Sequence, residues 1–458
     1  MVKKSIAKKN KIIPVVLSCL LVCIIFTGCA SKPAQDQNAS GTNASQSEAI
    51  VEENLTAKDL QEPTNNDQVT SASAVASGAN DFAFHLSAAL VAGVGTDNFV
   101  CSPYSVWLPL AALLNATDED NRDALLAALQ ASGISVDDVN SAASRMLYDL
   151  TRQGDEAFAT PDMPAYDPLK IANAIFVNND VTLNKDFAQT FLDYYRGTAM
   201  NVDFTSSDAV DAVNAWASEN TDGLITDIVS EFDPQTVAAI ANAIYFSDRW
   251  SWEFDPAKTE EEVFHAPGGD TAAFYMLREG NDQTYYEDDN VQATSLNFTT
   301  GGGMYIILPK DGDATGLLAS MTNDYFSEIQ TGSVNATGTL LLPRFSIESP
   351  VMDLTGTLTS LGVPLFDENA APLTGGLIEE NTPAWLSDAM HKAVIEVDEK
   401  GTTAAAVTVM AMATSAMPEP TEPFEMVCNK PFVFVLYGQT YDGGKQVLFT
   451  GVVNQPES

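Results

Sequence analysis

The apolar positions divide the chain into three regions with different patterns. Residues 12–26 form an apolar run broken only by Pro14 and Ser18, and residues 30–79 hold few large apolar side chains. From residue 80 onward, apolar positions recur at helical or alternating spacing, without a low-complexity linker or a fixed-period repeat. This last region of about 380 residues therefore predicts one large domain over 80–458.

Helical spacing dominates the first half of that domain, and strand patterns dominate the second half. Ser102 can cap a helix whose first turn contains Pro103. The pattern predicts helices over 82–91, 102–114, 118–129, 139–150, 185–194 and 208–219, and strands over 169–177, 236–246, 304–308, 338–342, 391–397, 431–437 and 446–453. Gly301 to Gly303 precede a strand, which favours a hairpin turn. The fold class predicted is α+β.

The N-terminus is typical of an export signal. Five lysines precede the apolar run, which is too short for a typical membrane span. The sequence Phe26-Thr27-Gly28-Cys29 resembles the lipobox of bacterial lipoproteins, although Phe26 stands where Leu is usual. The resemblance implies a signal peptide over 1–28, lipidation of Cys29, and an exported protein that is anchored at the bacterial cell surface or extracellular. In the alternative interpretation, Cys29 is an ordinary cysteine.

The segment after the signal has the composition of a tether. Residues 29–79 are rich in Ser, Asn, Gln, Ala and acids, so they predict a disordered link between the lipid and the domain.

Charge and residue counts exclude several classes of function. The formal net charge is −40, and removing five lysines with the signal deepens it to −45. Such acidity argues against binding of nucleic acid or of an anionic membrane surface. Three histidines and five cysteines leave little material for a metal centre. The acidic runs 260–262 and 288–289 lack calcium-ligand spacing, and no phosphate-binding loop or nucleophile elbow occurs, so no metal, cofactor or enzymatic activity is predicted.

Residues 401–417 stand out because charge is excluded from them. The segment GTTAAAVTVMAMATSAM has no proline and no residue larger than Met. Its composition is compatible with a mobile loop and also with a strand between packed strands. Pro418, Pro420 and Pro423 end this strand-compatible stretch.

Ordered motifs across the domain resemble the serpin family. The segments that carry the resemblance are Asn98 to Ser105, Leu169 to Val177, Ala241 to Phe246 with Trp250 and Phe254, Leu342 to Phe345, His391 to Val394, Asp398 to Ala406, and Asn429 to Phe434. The resemblance implies a serpin fold of three β-sheets with about eight or nine helices. It also implies an exposed reactive loop at about 401–422.

The function implied by the resemblance is suicide inhibition of a serine protease, with cysteine proteases left open. A protease cleaves the loop, and the upstream part, residues 401–414, inserts into the main sheet while the enzyme is still acyl-bound. The protein would be a monomer and not an enzyme. The hinge residues implied are Glu399, Gly401, Thr402, Ala404, Ala405 and Ala406.

The family's usual loop length puts the scissile bond at Ser415-Ala416. Counting backward from Pro431 instead places the bond near Pro420. Three other bonds therefore remain alternatives: Thr414-Ser415, Met412-Ala413 and Ala416-Met417. The loop has no Lys or Arg before Asn429, which excludes a trypsin-like target and favours elastase-like or subtilisin-like enzymes. Because methionines lie near the proposed bond, chymotrypsin-like enzymes also remain an alternative class of target.

The resemblance implies that six residues gate the opening of the main sheet. His391 would hydrogen-bond beneath it to a residue such as Asn242, and the others are Ser102, Ser105, Trp250 and Phe254. Simpler structural roles remain open: a core histidine, a helix cap, core aromatics.

Cys101 and Cys428 are predicted to be buried thiols, with a bridge between them left open. Two rival functions are a non-inhibitory serpin-like carrier lipoprotein and an unrelated solute-binding lipoprotein.

Overall fold

The structure, a computed structural model, describes residues 18–28, 66–151, 168–379, 382–401, 423–440 and 442–456. Nine α-helices lie within these ranges: α1 (Asn66–Val91), α2 (Pro103–Leu113), α3 (Glu119–Ala128), α4 (Val136–Thr151), α5 (Lys185–Tyr195), α6 (Ser207–Asn220), α7 (Ala314–Ser320), α8 (Asn323–Gly332) and α9 (Thr355–Ser360). The helices predicted from apolar spacing are present with bounds shifted by a few residues, except that the helix predicted over 82–91 begins at Asn66.

Sixteen strands lie in the same described ranges. They are β1 (Ser18–Gly28), β2 (Phe99–Cys101), β3 (Leu169–Asn178), β4 (Gly197–Val202), β5 (Thr236–Phe246), β6 (Glu260–Ala266), β7 (Gly269–Glu287), β8 (Val291–Asn297), β9 (Gly303–Pro309), β10 (Val334–Pro343), β11 (Phe345–Glu348), β12 (Met352–Asp353), β13 (Ala384–Val397), β14 (Phe424–Val427), β15 (Phe432–Gln439) and β16 (Lys445–Val453).

The strands form three sheets. The main sheet has the order β11-β13-β1-β5-β3-β4, with β12 also on β13. The other two share the long strand β7, which pairs with β10 from Tyr275 to Tyr285, with β6 over its first part and with β8 at its end. The register of β7 against β10 shifts near Gly280, whose φ of +149° favours glycine. The α+β class with three sheets is thus confirmed.

The N-terminal helix corrects the predicted end of the tether. Helix α1 begins at Asn66, inside the segment predicted to be disordered up to residue 79, and buries Val75 and Ala79 against the core. Its first half is rich in Ser, Ala and Gly, a composition shared by linkers and by helices in close contact. Because α1 packs against α4 and buries Ala72 as well, this part of the predicted tether belongs to the folded domain.

Helix α2 lies beneath the main sheet and is buried over its whole length. Ser102 is its N-cap and Pro103 its first residue, as predicted. It packs against β5, every residue of which is also buried. The centre of the main sheet is therefore covered on the side of α2, and the side chains that line it are shielded from water.

Candidate functional site: a slot in the main sheet and its hinge

Strand β1 fills an interval between β5 and β13, which we call the slot. It runs antiparallel to both neighbours. On the β13 side the register extends from Cys19 opposite Val394 to Gly28 opposite Ala384, and Ser18 lies opposite Phe246 of β5. Because neighbouring strands are about 4.8 Å apart, β5 and β13 are held about 10 Å apart by the strand between them.

The centre of the slot is lined by a buried cluster beneath the sheet. The backbone N–H of Ser102 donates to His391 Nε2 at 3.2 Å, and Ser105 Oγ donates to the Ser102 carbonyl at 2.9 Å. All three residues are fully buried. Helix α2 and strand β13 are thus joined directly below the position of Val22 in β1.

On the other side of the slot, Asn242 has a different partner from the one expected. Its Nδ2 donates to Asn173 Oδ1 on β3 at 2.8 Å, and Asn173 in turn donates to the Tyr195 carbonyl at 2.6 Å. The expected His391–Asn242 hydrogen bond is replaced here, since both residues lie opposite Val22 and a whole strand separates them. The two side chains flank the slot instead of bridging it.

The end of β13 turns back at residues 398–401, which we call the hinge. Asp398 and Gly401 pair with each other, and Gly401 also pairs with Arg249. Gly401 has φ +134°, and a Cβ there would lie 2.7 Å from the Cα of Arg249 and closer still to the Asp248 carbonyl. This position therefore requires glycine.

Aromatic residues hold the hinge against the end of β5. Trp250 Nε1 donates to the Asp398 carbonyl at 3.0 Å, and the backbone N–H groups of Trp250 and Phe254 donate to the carbonyls of Lys400 and Glu399. The Trp250 ring stacks on Phe298 with centroids 4.6 Å apart. Both aromatics are buried, and both hydrogen-bond to the hinge, at the end of the slot where Ser18 of β1 lies.

A carboxylate is buried at the hinge and is held by an arginine. The Glu399 side chain is 6% exposed and accepts hydrogen bonds from Arg344, whose Nε lies 2.9 Å away, and from the Thr259 hydroxyl. Burial raises the pKa of the Glu399 carboxyl, but the bonds from Arg344 and Thr259 outweigh it and leave the pKa below its ordinary value. Burial raises the pKa of the adjacent Asp398.

Several predicted site residues lie outside the described part of the chain. These are the lipidation residue Cys29, the hinge residues Thr402, Ala404, Ala405 and Ala406, and the residues around the bond, Met412, Thr414, Ser415, Ala416 and Met417.

Cys101 and Cys428 are buried free thiols, so the bridge left open by the sequence is not formed. Burial raises the pKa of Cys101 to about 11. Within the described ranges, no group of three or more His, Cys, Asp or Glu side chains is placed to hold a metal ion, and no helix is long and apolar enough to cross a membrane.

Sequence reasoning missed three polar partners of the site. Asn173 binds the gate residue Asn242 and Thr259 binds the hinge residue Glu399, each from a segment distant in sequence, and Asp248 lies beside Gly401. Asp248 is fully buried and accepts from Thr299 and Thr300 next to Gly401. The signal available was a polar residue in an otherwise apolar strand, which Asn173 provides; Asp248 and Thr259 lie in connections with no distinctive pattern.

Comparison with known proteins places this architecture in one family. The family model for "Serpin (serine protease inhibitor)" matches residues 77–456. Alpha-1-antitrypsin 1-4 of Mus musculus is 30% identical over 407 residues, covering 87% of this chain and 94% of that protein. The native stressed conformation of Arabidopsis AtSerpin1 superposes with a TM-score of 0.69 at 25% identity, covering 84% of this chain and 98% of that one. Human thyroxine-binding globulin has the same fold, with a TM-score of 0.69 at 23% identity over 85% of this chain and all of that one.

The mixed α+β fold with its three sheets, the family model and the relatives agree. The chain belongs to the serpin family of serine protease inhibitors.

Proposed function

We propose that this chain is a suicide inhibitor of serine proteases, in which the cleaved loop enters the slot between β5 and β13. The observation that carries the proposal is that the slot accepts a strand of eleven residues paired along both edges. That strand runs antiparallel to β13, the direction the loop would take if it continued from the turn at Asp398 and Gly401 as the second strand of a hairpin. The slot and the loop therefore agree in direction.

The register of the hinge supports the position of the scissile bond. If the pairing of Asp398 with Gly401 continues as a hairpin, Ala405 comes opposite Val394, and Ser415 comes opposite Ala384, the first residue of β13. A segment cut after Ser415 would fill the slot to its end, whereas a cut after Met412 would leave its last positions unfilled. This favours Ser415-Ala416 as the bait bond.

The same register suits the centre of the slot. It places Thr408 opposite His391, where Val22 of β1 now lies between His391 and Asn242. A small hydroxyl side chain is compatible with a site flanked by an imidazole and an amide, because each can hydrogen-bond to it.

The composition of the loop supports the class of target. Residues 401–429 contain no Lys or Arg, so a protease with an acidic specificity pocket finds no cation to bind. Ser, Ala and Thr around the proposed bond suit elastase-like or subtilisin-like enzymes. The protease would be the partner, bound as a covalent acyl complex, and the inhibitor itself a monomer without a cofactor.

The N-terminal sequence supports export and anchoring. Cleavage after Gly28 would leave Cys29 to carry a lipid on a bacterial cell surface, with the domain reaching outward. Metabolic labelling with palmitate tests this directly: we expect label on the wild-type chain and none on Cys29→Ser.

The inhibitory proposal is tested with processed chain beginning at residue 29. After incubation with elastase, subtilisin or trypsin, we expect a complex that survives boiling in denaturant with the first two enzymes only. N-terminal sequencing of the released C-terminal peptide should begin at Ala416. Clean cleavage without complex, and with an unchanged melting temperature, would instead support the non-inhibitory carrier, the function that the name of thyroxine-binding globulin describes for a protein of the same fold.

A charge at the start of the inserting segment separates insertion from simple cleavage. Thr402→Arg requires burial of a guanidinium as insertion begins, so we expect cleavage without complex, at least a tenfold loss of inhibited enzyme. Thr421→Arg makes the same change beyond the scissile bond and should leave complex formation intact. Complex formation by Thr402→Arg at the wild-type level would refute insertion through this hinge.

A further inference from the structure

The strand that fills the slot comes from the leader, not from the loop. Residues 18–28 pair with β5 and β13 along their whole length, apart from a register shift near Phe26. The sequence SCLLVCIIFTG carries no charge and no proline and is rich in β-branched and aromatic residues, which favour strands. An export signal of this kind is thus chemically competent to occupy a buried strand position.

We propose that in the unprocessed precursor the leader occupies the slot and prevents inhibition, and that removal of the leader after Gly28 arms the inhibitor. Both segments need the same backbone edges of β5 and β13, so they exclude each other. The last paired residue of β1, Gly28, is also the last residue of the leader. Cleavage there would sever the occupant from the domain without cutting any paired strand.

The direction of the leader strengthens the competition. Ser18 lies at the hinge end of the slot, opposite Phe246, and Gly28 lies at the far end, opposite Ala384. The loop would run the same way from Gly401. A leader in this position occupies the sites of Ala405 to Ser415, which is nearly the whole length that an inserting loop needs.

The consequence for inhibition rests on the proposed function, but the location of the leader can be tested without it. Cys23 of β1 lies opposite Ala241 of β5. Directly opposed residues of antiparallel strands have Cα atoms about 4.5–5.5 Å apart, within the range of a disulfide. The native thiols Cys101 and Cys428 are buried and do not compete.

The first experiment uses full-length chain produced without export and carrying Cys29→Ala to block processing. After mild oxidation, we expect Ala241→Cys to form a disulfide that links the leader peptide to β5, detected by mass spectrometry of a non-reduced digest. Ala243→Cys, opposite Leu21, is the matched control and should give no link. Adding Cys23→Ser should abolish the link. No link in Ala241→Cys, or equal links at both positions, would overturn the location of the leader.

The second experiment measures inhibition by the same full-length chain. We expect it to be cleaved by subtilisin with at least tenfold less covalent complex than the processed chain. Val22→Pro removes a backbone donor at the middle of β1 and should restore the complex, whereas Ile13→Pro, outside β1, should not. Complex formation by the precursor at the level of the processed chain would overturn the arming proposal. If neither chain forms complex while the disulfide forms, the proposed function fails and the placement of the leader stands.

Discussion

The hinge end of the slot and its centre are stabilised by different kinds of interaction. At the hinge, a buried carboxylate is paired with Arg344, whose side chain is 43% exposed, and the backbone is fixed by a glycine with positive φ. At the centre, His391 and Asn242 are fully buried and their described partners are neutral. The hinge is therefore sensitive to charge and backbone geometry, and the centre to the loss of single buried hydrogen bonds.

The largest effect is expected from Gly401→Val. A β-branched residue there would adopt an unfavourable backbone conformation and would also lie too close to Asp248 and Arg249. The free energy of unfolding should therefore fall by about 2–4 kcal/mol. Gly268→Val is the matched control, because a Cβ at Gly268 meets open space. Urea unfolding monitored by circular dichroism measures both. Equal losses for the two variants would remove the special role of the hinge glycine.

Loss of the arginine should come next. Arg344→Met leaves the buried Glu399 carboxylate without its cation, at a cost of about 1–3 kcal/mol, at the lower end because Arg344 is partly solvent-exposed. Adding Glu399→Gln removes the unpaired charge, so the double variant should lose less than the sum of the single losses. A double-mutant cycle by urea unfolding checks this, and strict additivity would contradict a coupled pair.

The same carboxylate predicts a pH dependence with a definite sign. Because the pKa of Glu399 is lower in the folded state than its ordinary value of 4.5, the ionised form favours folding. That stability is present above pH 4.5 and is lost as pH falls through the lower folded pKa. Stability measured from pH 7 to pH 3 should therefore fall less steeply for Glu399→Gln than for wild type, while Glu425→Gln, at an exposed position, should follow wild type. Asp398, whose pKa is raised, contributes with the opposite sign in both proteins.

The smallest effect should come from Ser105 at the centre of the slot, below that of its neighbour His391. His391→Leu leaves the buried Ser102 N–H without its described acceptor and should cost about 1–3 kcal/mol, while Ser105→Ala, which loses one hydroxyl bond, should cost about 1 kcal/mol. Thermal unfolding ranks the two. If Ser105→Ala costs more than His391→Leu, the hydrogen bonding of the cluster differs from this description.

The fold could be predicted better than the site, because the alternation of buried and exposed positions in a helix or strand is visible within a short stretch of sequence. The pattern of β5 gave both of its ends, and Ser102 with Pro103 gave the start of α2. The start of α1 was missed because its Ser- and Ala-rich turns resemble a linker in composition. The hydrogen-bond partners of His391 and Asn242 depend on which strand lies between β5 and β13. The sequences of β5 and β13 do not show which strand that is. Arg344 could be seen in its motif, but its pairing with Glu399 required the two strand ends to meet.

Hydrogen exchange tests the central claim most directly. In processed chain, the backbone amides of β5 and β13 that face the slot, such as those around Asn242 and His391, would be compared before and after cleavage of the loop by subtilisin. Insertion predicts strong protection of both strands after cleavage, together with retention of residues 402–415 in the folded protein. Unchanged exchange on β5 and β13 would contradict the account.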